Sequence, residues 1–587
     1  MQIKTLEVLI FLFGTNAAYD PGGPYQPRDC GFSGLRQVSG KGKRNPITGI
    51  PVFPLDGGEM SSGKLVRFFG LTMILGLSTQ TVSGLPGDSA DSRRDVDPSP
   101  VAPSESLLGP GSSPMEWTST ARGSKLLDDK AMIDACVGAA MERVGTPGVA
   151  VAVVVDGELF YQQGYGVKKR GLSDPVTPQT VFRIGSVTKM MTAAAVMQQV
   201  EAGRVSLSDP VTRVIPEFEI APPWQADQIT IHHLLTHSSG FPDRFFFIDG
   251  DTGDDALSEW VENLGTVALH AAPGAFWNYC NPNFMIAGLV VERAGAKPYR
   301  RYMKEDIWGP AGMALTTMDP AEVMSWGDWT WGHYTDPGSG FEFKYQPDDY
   351  DNGAAAPAGY AFSTSGDLVQ WANLLMEGGQ GVISPESAAS MQAHHVSLDY
   401  RPDQFYGLGV FSETFNGVEL KQHGGNIPGW GTALLWVPER RFAVAVLANT
   451  FESLPDAAYC ITDAILALED QSVDDSTDPS TWAPFAGHFD IVDVVGRLWT
   501  AKVTWSGTGL DLNLIPVWNP GGAIETPLSQ VFSHTFVADL DGDDVPETDF
   551  TFIGNGGTPD PVIWFRNRQM VGLVAIPPRE GGERSGQ

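Results

Sequence analysis

Apolar positions are scattered and aperiodic up to about residue 115, then fall into helical and strand-like rhythms. A helix is predicted over Asp128–Arg143. After Pro147-Gly148, Val149–Val155 is mostly valine and opens a strand pair. Asp156-Gly157 is a two-residue hairpin turn, and Leu159–Val167 is the returning strand. Met190–Val200 is apolar nearly all round and rich in helix formers, as a central buried helix must be, and it stops at Glu201-Ala202-Gly203. A helical, loop-rich middle extends to about Met376. Gly417–Gln422, Gly431–Val437 and Phe442–Leu447 read as three more strands, and Leu454–Glu469 as a closing helix. Helix, two strands, helical insert, three strands and helix predict an α+β unit: an antiparallel sheet flanked by helices, with a helical lobe.

Composition changes at both ends of this unit. Residues 1–115 are dense in Gly, Pro, Ser and Asp, interrupted by the apolar runs Leu6–Phe13 and Phe68–Leu77. Lys64 and Arg67 precede the second run, and Val82-Ser83-Gly84 follows it. We therefore expect a secretory signal whose translation starts at Met60, and a secreted or periplasmic product. Neither run is long enough to span a bilayer, so no stable membrane anchor is expected. Residues 116–470 form the α+β unit, 471–483 an acidic Ser/Thr/Pro linker, and 484–578 a small all-β barrel-like domain, barrel or half-barrel, of short strands separated by Gly, Asp and Pro turns. The net charge of −32 disfavours nucleic acid and anionic membrane as partners, leaving a small-molecule or peptide substrate.

The chemistry concentrates at Gly185-Ser186-Val187-Thr188-Lys189. A serine and a lysine three residues apart on a helix share a face, so a desolvated lysine can take the proton of the serine hydroxyl. Ser61 and Lys64 repeat the spacing without a helical context. Downstream stand Tyr279-Cys280-Asn281 and His423-Gly424-Gly425, and the chain has no Gly-x-Ser-x-Gly. The three elements in this order resemble the serine β-lactamase and penicillin-binding-protein superfamily, including class C β-lactamase-like enzymes, DD-carboxypeptidases and D-aminopeptidases. Ile229–Gly240 and Gly359–Leu368 resemble flanking segments of that superfamily, and the resemblance extends from about Met132 to Leu468.

The resemblance implies roles. Ser186 is the nucleophile, Lys189 the general base, and Tyr279 a second base or proton shuttle whose pKa the Lys189 charge lowers. Asn281 binds a substrate amide and helps hold Lys189. His423 stands where many relatives have lysine; it binds a substrate carboxylate when protonated or hydrogen-bonds when neutral. Gly424 and Gly425 let a substrate backbone approach the strand, and the N–H groups of Ser186 and Asn426 form the oxyanion hole. The first and last helices pack side by side in the superfamily, which implies a Cys136–Cys460 disulfide. The all-β segment resembles the lipocalin-like domains appended to some of these peptidases.

No cofactor and no metal are expected. His233 and His237 are four apart but lack a third ligand. Asp539–Asp544 resembles a calcium loop but has Asp544 where an EF-hand has glycine and Phe550 where it has glutamate. Aromatic residues between Trp326 and Tyr345, with Phe245-Phe246-Phe247, either line a substrate cleft or cover the helical lobe. The expectation is a serine hydrolase, foremost a carboxypeptidase or D-residue-tolerant peptidase. An esterase or β-lactamase is the alternative, and a non-catalytic penicillin-binding or sensing module a further one.

Overall fold

A computed structural model describes residues 119–243, 250–335, 340–398, 403–469 and, beyond the linker, 486–493, 496–507, 509–516, 524–532, 535–538, 548–554, 563–567 and 574–576. The leader and its signal, Phe245–Phe247, the 471–483 linker and the acidic loop at Asp539 lie outside the described residues.

The first helix, Ser119–Val144, leads into β1 (Gly148–Val155) and β2 (Glu158–Gly166), joined at Asp156-Gly157 with both residues at positive φ. β3 (Phe182–Arg183) precedes the helix Thr188–Glu201. The helical lobe follows, with Asn281–Gly295 as its longest helix, and includes the hairpin β4 (Gly332–Thr335) and β5 (Glu342–Tyr345). β6 (Phe362–Ser363) pairs with β3, and the helix Ser365–Met376 follows. The chain then re-enters the sheet as β7 (Val396–Ser397), β8 (Phe405–Tyr406), β9 (Phe411–Phe415), β10 (Val418–Ile427), β11 (Trp430–Val437) and β12 (Phe442–Ala448), and closes with the helix Pro455–Leu466. The sheet runs β2-β1-β12-β11-β10-β9-β8-β7, antiparallel at every pairing given in register.

The sheet has three more strands than the five the pattern predicts. β7, β8 and β9 are only two to five residues long, too short to show alternation, and they form because β10 offers them an edge. β10 itself runs five residues past Gln422, so His423 to Asn426 belong to the ladder with β11.

Alternation decides the two faces. Val149, Val151 and Val153 point with Val444 and Val446 toward the first and last helices. Ala150, Ala152, Ala443 and Ala445 point the other way, toward the core around the Thr188–Glu201 helix. Small side chains on that face let the Ser365–Met376 helix lie close to β1 and β12. Cys136 and Cys460 form a disulfide between the first and last helices, and Cys280 is a buried free thiol. No helix among the described residues is long and apolar enough to cross a membrane.

Beyond the linker come β13 (Gly487–Asp493), β14 (Gly496–Trp505), β15 (Leu510–Pro516), β16 (Ile524–Phe532), β17 (Thr535–Ala538), β18 (Thr548–Gly554), β19 (Ile563–Asn567) and β20 (Val574–Ile576). Each pairs antiparallel with the next, and β20 pairs back with β13.

Candidate active site

Ser186 lies in the 3-10 turn Gly185–Val187 that opens the Thr188–Glu201 helix. Thr188 Oγ1 closes the turn by donating to Gly185 O at 2.7 Å. Gly185 is at φ +51°, and a Cβ there would sit 2.7 Å from Asn426 N. A Cβ on Gly425 would sit 2.0 Å from Ile184 O and 3.0 Å from Ser186 N. The turn that holds Ser186 and β10 thus meet backbone to backbone, which only glycine permits at both points. This corrects the reading of Gly425: its missing side chain makes room for the protein's own turn. At Gly424 the nearest atom to an added Cβ is Thr432 O at 3.7 Å, an ordinary contact, so no close backbone approach requires glycine there.

Lys189 is fully buried. Its Nζ lies 2.9 Å from Ser186 Oγ, 2.7 Å from Asn281 Oδ1 and 2.6 Å from Ala358 O. Burial pushes the ammonium down to a pKa of about 7, partly opposed by the negative charge of Asp243 and by Cys280. Neutral Lys189 has two N–H donors and one lone pair. Asn281 Oδ1 and the Ala358 carbonyl can only accept and take the two donors, which leaves the lone pair for the Ser186 hydroxyl.

Asn281 is the first residue of the Asn281–Gly295 helix. Asp243 accepts from its backbone N–H at 3.1 Å and from Nδ2 at 3.3 Å, and so turns Oδ1 toward Lys189. The sequence reading missed Asp243, which follows the flanking segment it singled out by three residues.

Tyr279 is buried, its ring 4.9 Å from Lys189 Nζ. Its hydroxyl makes no hydrogen bond of good geometry, although Ser186 is near enough to favour the phenolate. Burial dominates and holds the phenol well above its usual range. The expected lowering by Lys189 does not occur: desolvation of the phenolate dominates, Asp243 and Cys280 add to it, and the opposing cause is the Ser186 hydroxyl.

His423 is buried and neutral, with burial and then the Lys189 charge pushing it down to about 3. Nδ1 lies 2.6 Å from Gly424 O and therefore carries the proton; Nε2 is left to accept from Tyr406 OH at 3.2 Å. Of the two roles expected for His423, carboxylate binding by imidazolium does not fit this setting. Asn426 spends its side chain on Phe451 O at 2.6 Å, and its backbone nitrogen lies against Gly185, the residue before Ser186.

The structure thus brings Ser186, Lys189, Tyr279, Asn281, His423 and Asn426 together. His233 and His237 face different partners: His233 Nδ1 accepts from Thr230 N–H, and His237 Nδ1 from Cys280 N–H. Among the described residues no group of three or more His, Cys, Asp or Glu is arranged to hold a metal. The aromatics in and beside β4 and β5 pack on one another, Tyr334 across the hairpin on Phe343 at 6.3 Å, Phe341 on Phe343 at 4.9 Å and Tyr334 on Phe451 at 5.6 Å, and the Phe451 carbonyl accepts from the Asn426 side chain.

The family model described as Beta-lactamase matches residues 133–469, more than half of the chain. The chain belongs to the beta-lactamase family. Its members matched here include the unguisins hydrolase ungD' of Aspergillus campestris, 30% identical over 354 residues, 58% of this chain and 64% of that protein. Penicillin-binding protein 4 of Amycolatopsis lactamdurans is 32% identical over 315 residues, 52% of this chain and 81% of that one. The chain spans just under two thirds of the first relative's length. The octameric penicillin-binding protein homologue of Pyrococcus abyssi shares the fold, with a TM-score of 0.53, 21% identity, and coverage of 76% of this chain and 99% of that one.

Proposed function

We propose that the enzyme is an exported peptidase that works through an acyl-enzyme on Ser186. The observation that carries the reading is the Lys189 geometry: two acceptor oxygens hold a near-neutral amine with its lone pair on the serine hydroxyl. Ser186 Oγ attacks the amide carbon while its proton passes to Lys189 Nζ. The N–H groups of Ser186 and Asn426 receive the oxyanion. The C–N bond then breaks, and the leaving nitrogen takes a proton from the Tyr279 hydroxyl, which Lys189 restores. Water hydrolyses the ester by the reverse relay. Tyr279 is a shuttle in this scheme, because its raised pKa keeps it protonated.

A neutral His423 offers no charge to a terminal carboxylate, which favours a D-residue-tolerant peptidase over a carboxypeptidase or a dedicated β-lactamase. The same constellation acts on esters. The disulfide supports an oxidising compartment, secreted or periplasmic. We read the eight C-terminal strands as a lipocalin-like module on the strength of their sequential pairing.

Intact-protein mass spectrometry after incubation with an activated ester, and separately with a penicillin, tests this reading. An acyl adduct or turnover on the wild type and neither on Ser186→Ala is expected. Equal turnover in both proteins overturns it and leaves the non-catalytic reading.

A further inference from the structure

We propose that His237 is a positioning residue that sets Tyr279 and Asn281 against Lys189. The proposal rests on the role assigned to those residues above. The segment Asn278–Cys280 carries Tyr279 but belongs to no strand. Its two flanking N–H groups both end on His237: Asn278 N–H donates to the His237 carbonyl at 2.7 Å, and Cys280 N–H to Nδ1 at 3.1 Å. Nδ1 also lies 3.3 Å from Asn283 Nδ2; Ser239 donates to the other end of that amide, so its nitrogen faces the imidazole. One residue therefore pins the backbone on both sides of Tyr279, before it through the His237 carbonyl and after it through the imidazole, and the imidazole also meets the first turn of the helix that begins at Asn281. The imidazole also backs the Tyr279 ring itself, centroids 4.3 Å apart.

This arrangement is kept at a cost. His237 is a non-glycine residue at φ +53°, in the left-handed region. Two N–H donors on Nδ1 force the proton onto Nε2, and Nε2 is buried without a hydrogen-bond partner. A strained backbone together with an unsatisfied donor marks a place where surrounding structure enforces a geometry, and here that geometry is the presentation of Tyr279 and Asn281. A residue that merely filled space could be glycine or asparagine in backbone and apolar in its ring.

The test compares His237→Ala with His237→Asn, because asparagine tolerates positive φ and keeps an acceptor at the δ position. An activated ester is the probe. We expect His237→Ala to lower kcat about 10²-fold with KM nearly unchanged, as displacement of a catalytic group by about 1 Å does. His237→Asn should recover about tenfold or more of that loss. In a Tyr279→Phe background His237→Ala should cost much less than in the wild type, because the group it positions has gone. Asparagine that rescues nothing in a protein of wild-type Tm, or losses that multiply independently in the double variant, overturns the proposal. Should His237→Ala fail to fold, His237→Gln replaces it, since its acceptor lies one bond too far out. A dead Ser186→Ala with a fully active His237→Ala refutes only this inference, whereas an active Ser186→Ala refutes the acyl-enzyme reading itself.

Discussion

The two faces of the central sheet are made from the same strands and do opposite things. On one face, Val149, Val151, Val153, Val444 and Val446 meet the first and last helices in an apolar layer closed by Cys136–Cys460. On the other, the alternate residues of the same strands join a core that also buries Lys189, Arg183, His237 and Asn281. The first face exchanges chain entropy for burial and a covalent tie. The second holds desolvated polar groups that a core built for stability alone would avoid, and desolvation is what lowers the Lys189 ammonium toward neutrality. The comparison teaches that stability and reactivity are separable here, each assigned to one parity of the strand sequence.

The largest effect should come from the reactive face. Ser186→Ala or Lys189→Met should cost at least about 10⁴-fold in kcat, and the double substitution little more than either, because the pair acts as a unit. Steady-state rates with an activated ester measure this, and thermal unfolding should show the fold retained. Wild-type kcat/KM should rise with pH through about 7 as Lys189 loses its proton.

The opposite face should break the other way. Cys136→Ser with Cys460→Ser should lower unfolding free energy by about 2–4 kcal/mol, since the bridge closes a loop of 324 residues, while leaving kcat within about threefold. Denaturant melts and ester turnover on the same sample separate the two. A large loss of activity at unchanged stability would join the faces that we hold apart.

Lys189 also links the reactive face to stability. Its folded pKa, about 7, lies below the ordinary 10.5, so between those values the unfolded chain binds more protons and stability rises with pH. Relative to Lys189→Met, the wild type should gain roughly 1–3 kcal/mol between about pH 7 and pH 9. Urea melts at the two pH values give the number, and a flat difference would mean that the amine is not desolvated.

The smallest effect sharpens the role of Asp243. Asp243→Asn removes the charge that favours protonated Lys189, so the acidic limb of the rate profile should move to lower pH. It also loosens Asn281, and the plateau should fall about tenfold. A pH–rate profile reads both changes at once, and an acidic limb that moves upward would contradict the assignment.

How much of this was legible depends on how far apart the contacting residues stand in the chain. Ser186 and Lys189 were readable because one helical turn joins them. The valine–alanine alternation of β1 and β12 was readable because a strand exposes its parity residue by residue. Asp243 acts on Asn281 across 38 positions and Ala358 on Lys189 across 169, with no local signal in either case. The edge strands β7 to β9 borrow their order from β10 and carry too little pattern of their own. Tyr406, whose hydroxyl meets Nε2 of His423, sits in one of them.

The sequence by itself determined the long helices and the five long strands, the parity of β1 and β12, and which residue types can carry acyl transfer, because periodicity and side-chain chemistry are local properties. Tertiary structure alone decided the protonation states: a lysine near neutrality, a phenol held protonated and a histidine held neutral. Those follow from water exclusion and from oxygens supplied by distant segments, which no neighbouring residue in the chain announces.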